Sequence, residues 1–403
     1  MTNTFEIVGK ISLPKESDKF KPYQTNEYDS GWNKSKLLFN VQSDSNRHML
    51  VTEGLYKADG TGVVYSFTKG ETDPVTHEKK KGEKIQVPWK NRLKPEVIDN
   101  IAQFKRLVVD LEENGRRYKL KEALEKQDKG ESVEAELKEL GVTDLQKAYD
   151  DSQAKRKEFI HEYDFTEFLY KLTQSDKYKD KKFKVTGEIT YSYYNGTFNK
   201  TLVPKRLYLA AEDEKESSFG LISVFFNKEA VDENSYDESK KYYINAFAKN
   251  YDGQLKKEIA APIQLVIDDT KENEKIQKFS EVMKRQFTVT DDSWKEFGVK
   301  VKLLDGAQVV ELTDDMLNDF QRDMLEIGAM TKEDILRDLG GDVYGDRIQE
   351  MIICGSIRGY SKGRKDTVYI DSDFEAPVVE EQQSSPVDTS STDDLFDDMS
   401  DLL

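Results

Sequence analysis

Tyr191, Tyr193, Tyr194 and Phe198 lie close together in the chain, and Lys200, Lys205, Arg206 and Tyr208 follow directly. Tyr243, Phe247 and Lys249 repeat the mixture farther on. Between Phe183 and Tyr251 there are 14 aromatics in 69 residues, against 11% aromatics for the whole chain. Exposed rings beside ammonium and guanidinium groups suit single-stranded nucleic acid: each base can stack for roughly 1–3 kcal/mol while the cations meet phosphates. Trp89, Lys90 and Arg92 form a smaller group of the same kind, in a stretch from His77 to Lys94 with seven Lys or Arg against two Glu.

The residues that catalysis demands are missing. No glycine-rich phosphate loop ending in Lys and Ser or Thr is present. His48, His77 and His161 are far apart and match no zinc spacing, and Cys354 is the single cysteine. Asp314, Asp315, Asp319 and Asp323 fall near a helix start, where Asp is favoured without any metal. No catalytic residue, metal site or cofactor is therefore expected. Cys354, in the apolar run from Met351, is expected to be a buried thiol.

The rings need a sheet to hold them. From Phe183 to Ile267 the chain alternates β-branched and aromatic residues, with turn signals at Asn195-Gly196 and Asp252-Gly253. Five strands are expected there, closing on themselves as a barrel. Residues 5–90 hold five more strand-like runs, which fit a second small barrel or an open sheet equally well. Pro95 then opens an amphipathic stripe (Val97, Ile101, Phe104, Val108, Leu111) that predicts one helix ending near Gly115. A Lys- and Glu-rich helical stretch follows to about Glu162, and Asp164 with Glu167 has the pattern of a capping box. Beyond Ile267, a hairpin turning at Asp305-Gly306 and helices capped at Thr313 and Thr331 are expected. The loop containing Arg358, Lys362, Arg364 and Lys365 is basic and glycine-spaced, able to close over a strand.

The fold class is accordingly α+β and dominated by β-barrel structure. The domains read as a β-rich module over 1–94, a helical insertion over 95–163, a five-stranded barrel over 164–270, a mixed region over 271–370 and a disordered acidic tail over 371–403. No apolar run approaches the roughly 18 residues of a membrane helix, and residues 1–20 have no secretory pattern. The cytoplasm is the expected compartment. Net charge is −17, of which residues 371–403 contribute −11. The body is thus far less acidic than the whole, and a basic groove is compatible with it.

The final residues, Asp393, Asp394, Leu395, Phe396, Asp397, Asp398, Met399, Ser400, Asp401, Leu402 and Leu403, interleave carboxylates with apolar side chains. Such a tip suits a linear motif whose apolar groups enter a partner's pocket. A barrel with basic and aromatic groove residues, followed by an acidic linker and this tip, resembles the single-stranded-DNA-binding proteins of bacteria and their phages. The resemblance implies an OB-fold barrel and a tip that recruits replication and recombination proteins while competing with DNA for the groove. It departs from the bacterial pattern in ending on two Leu rather than Pro and Phe. The greater length favours a phage-type member, whose compartment would be the host cytoplasm.

The function expected from residues and resemblance together is sequence-independent binding of single-stranded DNA in replication, recombination or repair, without enzymatic activity. The alternatives are a structural or scaffold protein with Tyr-rich surfaces, which needs exposed rings without a cationic track, and a strand-annealing or nucleic-acid-processing factor.

Overall fold

A computed structural model describes residues 3–377 apart from 18, 58, 73–78, 114, 235, 271–272, 311–316, 333, 336–342 and 358–363. The chain is mixed α and β and rich in strands. It opens with β1 (Thr4–Ser12), β2 (Tyr23–Glu27), β3 (Trp32–Ser43) and β4 (Asn46–Lys57). A long excursion follows, through β5 (Val63–Phe67), β6 (Glu71–Thr72), β7 (Lys79–Lys80), β8 (Lys84–Pro88), α1 (Pro95–Asn100) and β9 (Leu107–Asp110). It continues through the helices α2 (Arg116–Asp128), α3 (Glu134–Leu140) and α4 (Leu145–Ala154) and returns along β10 (Arg156–Phe159). Then come α5 (Glu162–Thr173), β11 (Lys182–Tyr194) and β12 (Thr197–Leu209).

Five of these strands close a hydrogen-bonded ring. β1 pairs antiparallel with both β3 and β11, β3 with β4, and β11 with β12. β12 meets β4 in parallel at one residue pair, Leu202 with Leu50. A closure that narrow makes the ring irregular rather than a regular barrel. Inside it lie Phe5, Ile7, Leu37, Phe39, Leu50, Val185, Ile189 and Leu207, all buried, and α5 plugs one end with Phe165 and Leu169. Gly54 lets α5 approach: a Cβ there would lie 2.2 Å from the Tyr163 amide nitrogen.

The second half repeats the plan. Its elements are β13 (Ser217–Phe226), β14 (Val231–Asp232), α6 (Tyr236–Ser239), β15 (Lys241–Asp252), β16 (Lys257–Asp268), α7 (Glu274–Phe287), β17 (Trp294–Val310), α8 (Asp319–Glu326), β18 (Val343–Ser356) and β19 (Lys365–Thr367). β13 pairs with β15 and β17, β15 with β16, β17 with β18, and β16 meets β18 in parallel at Val266 and Ile352. In both rings the first strand lies between the second and fourth, the third meets the fifth in parallel, and a helix joins third to fourth. β1 and β13, the first strands of the two rings, pair antiparallel from Thr4–Leu221 to Val8–Ser217 and weld the rings into one sheet.

Several expectations are corrected here. The five strands of 183–267 exist, but they do not close on one another: β11 and β12 complete the first ring, while β13, β15 and β16 begin the second. The Asn195-Gly196 turn forms as expected, with φ of 47° and 82°. Asp305-Gly306 does not turn, since β17 runs through it. Gly306 instead permits contact, because a Cβ there would lie 2.5 Å from the Ser45 carbonyl oxygen. The stripe from Val97 to Leu111 is not one helix: α1 ends at Asn100, Ile101 is extended, and Val108 lies in β9. α5 is capped by His161, whose Nδ1 accepts from the Tyr163 amide at 3.1 Å, which leaves Asp164 free for Arg92. α8 is capped by Asn318 with Gln321, and Thr313 lies outside the described residues, while Thr331 and Asp334 exchange the expected capping bonds. Cys354 is exposed on β18 rather than buried.

Candidate nucleic-acid interface

Residues directly opposite one another in paired strands share a face. On β11 and β12 the register opposes Tyr193 to Phe198 and Tyr191 to Lys200, whereas Thr186 faces Arg206 and Lys184 faces Tyr208. A bulge between Thr186 and Gly187 sits between these sets. The aromatic and basic residues of this hairpin therefore divide. Tyr191, Tyr193, Phe198 and Lys200 continue the inner face with Ile189 and Leu202, and Arg206 and Tyr208 lie on the outer one.

On the inner face Tyr191 is 5% exposed and belongs to the core, where burial pushes its phenol pKa up. Tyr193 and Phe198 are half-buried, with ring centroids 4.7 Å apart. The crowding of protein around Lys200 lowers its ammonium pKa, with Asp305 acting in the opposite sense. Tyr194, at the turn, is exposed.

The outer face is different. Along it Arg206 opposes Thr186, Thr186 opposes Glu6, Glu6 opposes Phe219 and Phe219 opposes Lys302. This row crosses five strands, about 19 Å at the usual strand spacing, and passes from the first ring into the second. The neighbouring row carries Glu188, Thr4, Leu221 and Lys300. Above these rows lies a groove of about 610 Å³, whose wall is the turn Gln103–Lys105 and whose lining includes Lys105, Lys205, Arg206, Phe219 and Lys300.

Phe104 stands on that wall, 71% exposed. The Lys105 ammonium is 5.9 Å from its ring, and that of Lys300 lies 3.9 Å from the Phe219 ring. Lys205 is only loosely paired, 3.8 Å from Glu162 and 3.9 Å from Glu188. Arg206 makes a long bond of 3.4 Å to the Gln103 carbonyl. Arg106 also lines the groove, but its guanidinium is spent on Glu158 and on the carbonyls of Asp99 and Ile101. Four available cations thus face three carboxylates, Glu6, Glu162 and Glu188, so the groove is weakly positive in a strongly acidic chain.

The remaining expected residues lie elsewhere. Trp89 is half-buried between Tyr56 and His161, with the Arg92 guanidinium 3.7 Å above it. Arg92 in turn holds Asp164 at 2.7 and 2.8 Å, so this group is internally satisfied, and Lys90 alone of the three is exposed. Tyr243 is half-buried on β15. Phe247 and Lys249 are covered by the segment Tyr369–Phe374, whose last four residues, Asp371–Phe374, belong to the stretch expected to be a disordered tail but form a helical turn packed on this face. The tip residues Asp393, Asp394, Leu395, Phe396, Asp397, Asp398, Asp401, Leu402 and Leu403 lie outside the described residues, as do Arg358 and Lys362. Among the described residues no cluster of His, Cys, Asp and Glu could hold a metal ion, and no helix is long and apolar enough to cross a membrane.

No family model matches the sequence, and no curated protein matches it. Two solved structures of the single-stranded DNA binding protein from Thermus aquaticus are similar. A deletion mutant is 7% identical, covering 79% of this chain and 97% of that one at a TM-score of 0.27. The wild-type protein is 8% identical, covering 75% and 85% at a TM-score of 0.28. A likeness that slight carries no weight for function, which must be argued from the groove.

Phe104, Lys105, Phe219 and Lys300 were missed by sequence reasoning. Helical spacing placed Phe104 in a core, and the two lysines stand outside any basic run. The alternation in Phe219-Gly-Leu221 was a usable signal, since it sets both side chains on one strand face.

Proposed function

We propose that the groove binds single-stranded nucleic acid, DNA foremost, largely without sequence preference. The observation that carries this reading is the alignment of exposed Phe104 and half-buried Phe219 with Lys105, Lys205, Arg206 and Lys300 in one concavity. Rings accept any base because every base has a π-face, and the lysines and arginine take phosphates as point charges or forks. A scaffold surface would need rings without that cationic track, so the pairing favours nucleic acid. The connectivity of each ring supports reading it as an OB-like Greek-key barrel, a fold suited to oligonucleotides. On this reading the chain comprises two such units meeting near Ala210, with 95–160 inserted in the first, and it acts in replication or recombination by coating rather than by turnover. The acidic tip from Asp393 to Leu403 recruits a partner protein through its Phe and Leu side chains.

Fluorescence anisotropy of a labelled dT oligonucleotide, titrated with the full chain at two salt concentrations, tests the proposal. Binding that weakens with salt is the expected result; absence of binding at low salt overturns it.

A further inference from the structure

Beside the groove, the second ring has another face on which an aromatic ring already stacks. Phe225, Phe247 and Lys249 lie on the outside of β13 and β15, with Trp294 at the start of β17 beside them. Across this face runs the segment Tyr369–Phe374, brought there by the three-residue strand β19. Phe374 lies on Trp294 with ring centroids 3.7 Å apart and planes 21° apart. The Asp371 carboxylate accepts a hydrogen bond of 3.0 Å from the Trp294 indole N–H. The Lys249 ammonium sits 3.9 Å from the Tyr369 ring and 4.9 Å from that of Phe374.

A ring stacked on tryptophan, an anion at the indole edge and a lysine over the stack are the contacts that a base and its phosphate would make. The segment is held by one short strand and a few side chains: β19 pairs Lys365, Asp366 and Thr367 with β17, Asp366 pairs with Lys295 at 2.7 Å, the Thr367 hydroxyl donates to the Trp294 carbonyl at 3.1 Å, and Arg364 donates to the Arg285 and Gln286 carbonyls at 2.9 and 2.7 Å. Phe374 and Trp294 are 6% and 4% exposed, so the face is closed while the segment stays.

We infer that the Phe247, Lys249 and Trp294 face is a second nucleotide-binding face, and that Phe374 holds the place of a base until a long single strand displaces it. This rests on the reading of the groove as a nucleic-acid site, and adds that short strands use the groove alone. It concerns residues within the folded body, not the tip from Asp393 onward.

Phe374→Ala in the full chain, titrated with a short dT oligonucleotide and with one several times longer, tests the inference. The variant should bind the long strand about tenfold more tightly, the worth of roughly one stacked base, and the short one within about twofold of the unmodified chain. Equal effects on both strands, or none, overturn it. Amide hydrogen exchange on the unmodified protein gives a reading that needs no variant. Residues 369–374 should exchange faster when the long strand is added, while Tyr243 to Lys249 exchange more slowly. Unchanged or slowed exchange at 369–374 overturns the displacement while leaving the groove standing. Failure of both strands to bind the unmodified chain removes the groove reading and this one with it.

Discussion

The Asn250 side chain is paired with the Tyr191 backbone: its Oδ1 accepts from the Tyr191 amide at 2.8 Å, and its Nδ2 donates to the Tyr191 carbonyl at 2.8 Å. One amide side chain thereby does for β11 what a neighbouring strand would do, and Asp252 adds a bond of 3.1 Å from the Tyr193 amide. These contacts tie the hairpin of the first ring to that of the second, at a distance along the chain from the β1–β13 weld. Asn250→Ala leaves a backbone donor and acceptor unpaired, at about 1–3 kcal/mol for such groups. A lowered melting temperature, with faster amide exchange at Tyr191, is the expected outcome. Asn250→Asp keeps the acceptor but turns a carboxylate oxygen on the Tyr191 carbonyl, so it should not restore the lost stability.

Phe104 offers the cleanest test of stacking, because its ring is 71% exposed and its loss should hardly disturb the core. Phe104→Ala is expected to weaken dT binding by about tenfold, or roughly 1–3 kcal/mol for one stacked base, with the melting temperature unchanged. Anisotropy and a thermal melt on the same preparation check both halves. Unchanged affinity would remove Phe104 from the interface.

Arg206 on β12 and Lys300 on β17 both line the groove, with β11, β1 and β13 between their strands. If each neutralises one phosphate, Lys300→Gln and Arg206→Gln should each flatten the log–log salt dependence of binding by about 0.7. The double variant should show the sum. A slope that stays put would place the phosphates elsewhere.

Gly54→Ala tests the packing of the first ring on α5. Its added Cβ would fall 2.2 Å from the Tyr163 nitrogen and 2.5 Å from the Tyr163 Cα, and neither backbone atom can yield cheaply. A loss of about 3 kcal/mol, read by denaturant unfolding, is expected for overpacking at such a site.

These outcomes turn on features of unequal legibility. Strands were legible wherever β-branched and aromatic residues alternated between turn signals, as in β11, β12, β15 and β16. Their partners were not, because Leu50 meets Leu202 and Thr4 meets Leu221 through pairings distant in sequence. Residue types singled out Lys205 and Arg206, which line the groove, but they could not show that the extra residue in β12 between Pro204 and Arg206 turns Arg206 to the face opposite Tyr191 and Tyr193. Phe104 was hidden by a spacing that fits a helix, since Ile101 leaves the helix and points into a separate small core. Phe374 was hidden by its acidic neighbours: composition marks a stretch as unable to build its own core, yet one ring can complete another element's core.

His48 supplies a pH dependence located at the junction of the rings. It is 2% exposed, its Nε2 lies 2.9 Å from the Ser218 hydroxyl of β13, and the charged groups facing it are Lys200 and Asp305. Burial lowers its pKa from 6.5 to about 4, with Lys200 pushing the same way and Asp305 opposing. The folded protein therefore holds His48 neutral where the unfolded chain would bind a proton. The resulting stabilisation is fully present above pH 6.5 and is lost as pH falls from there towards 4. Its ceiling is about 3 kcal/mol, from the size of the shift. Carboxylates titrate over part of the same range, so the informative quantity is a difference. His48→Gln lacks the titrating group, and the gap between its melting temperature and that of the unmodified chain should be widest above pH 6.5 and shrink as the medium is acidified. A gap independent of pH would mean that His48 is not what couples the ring junction to protons.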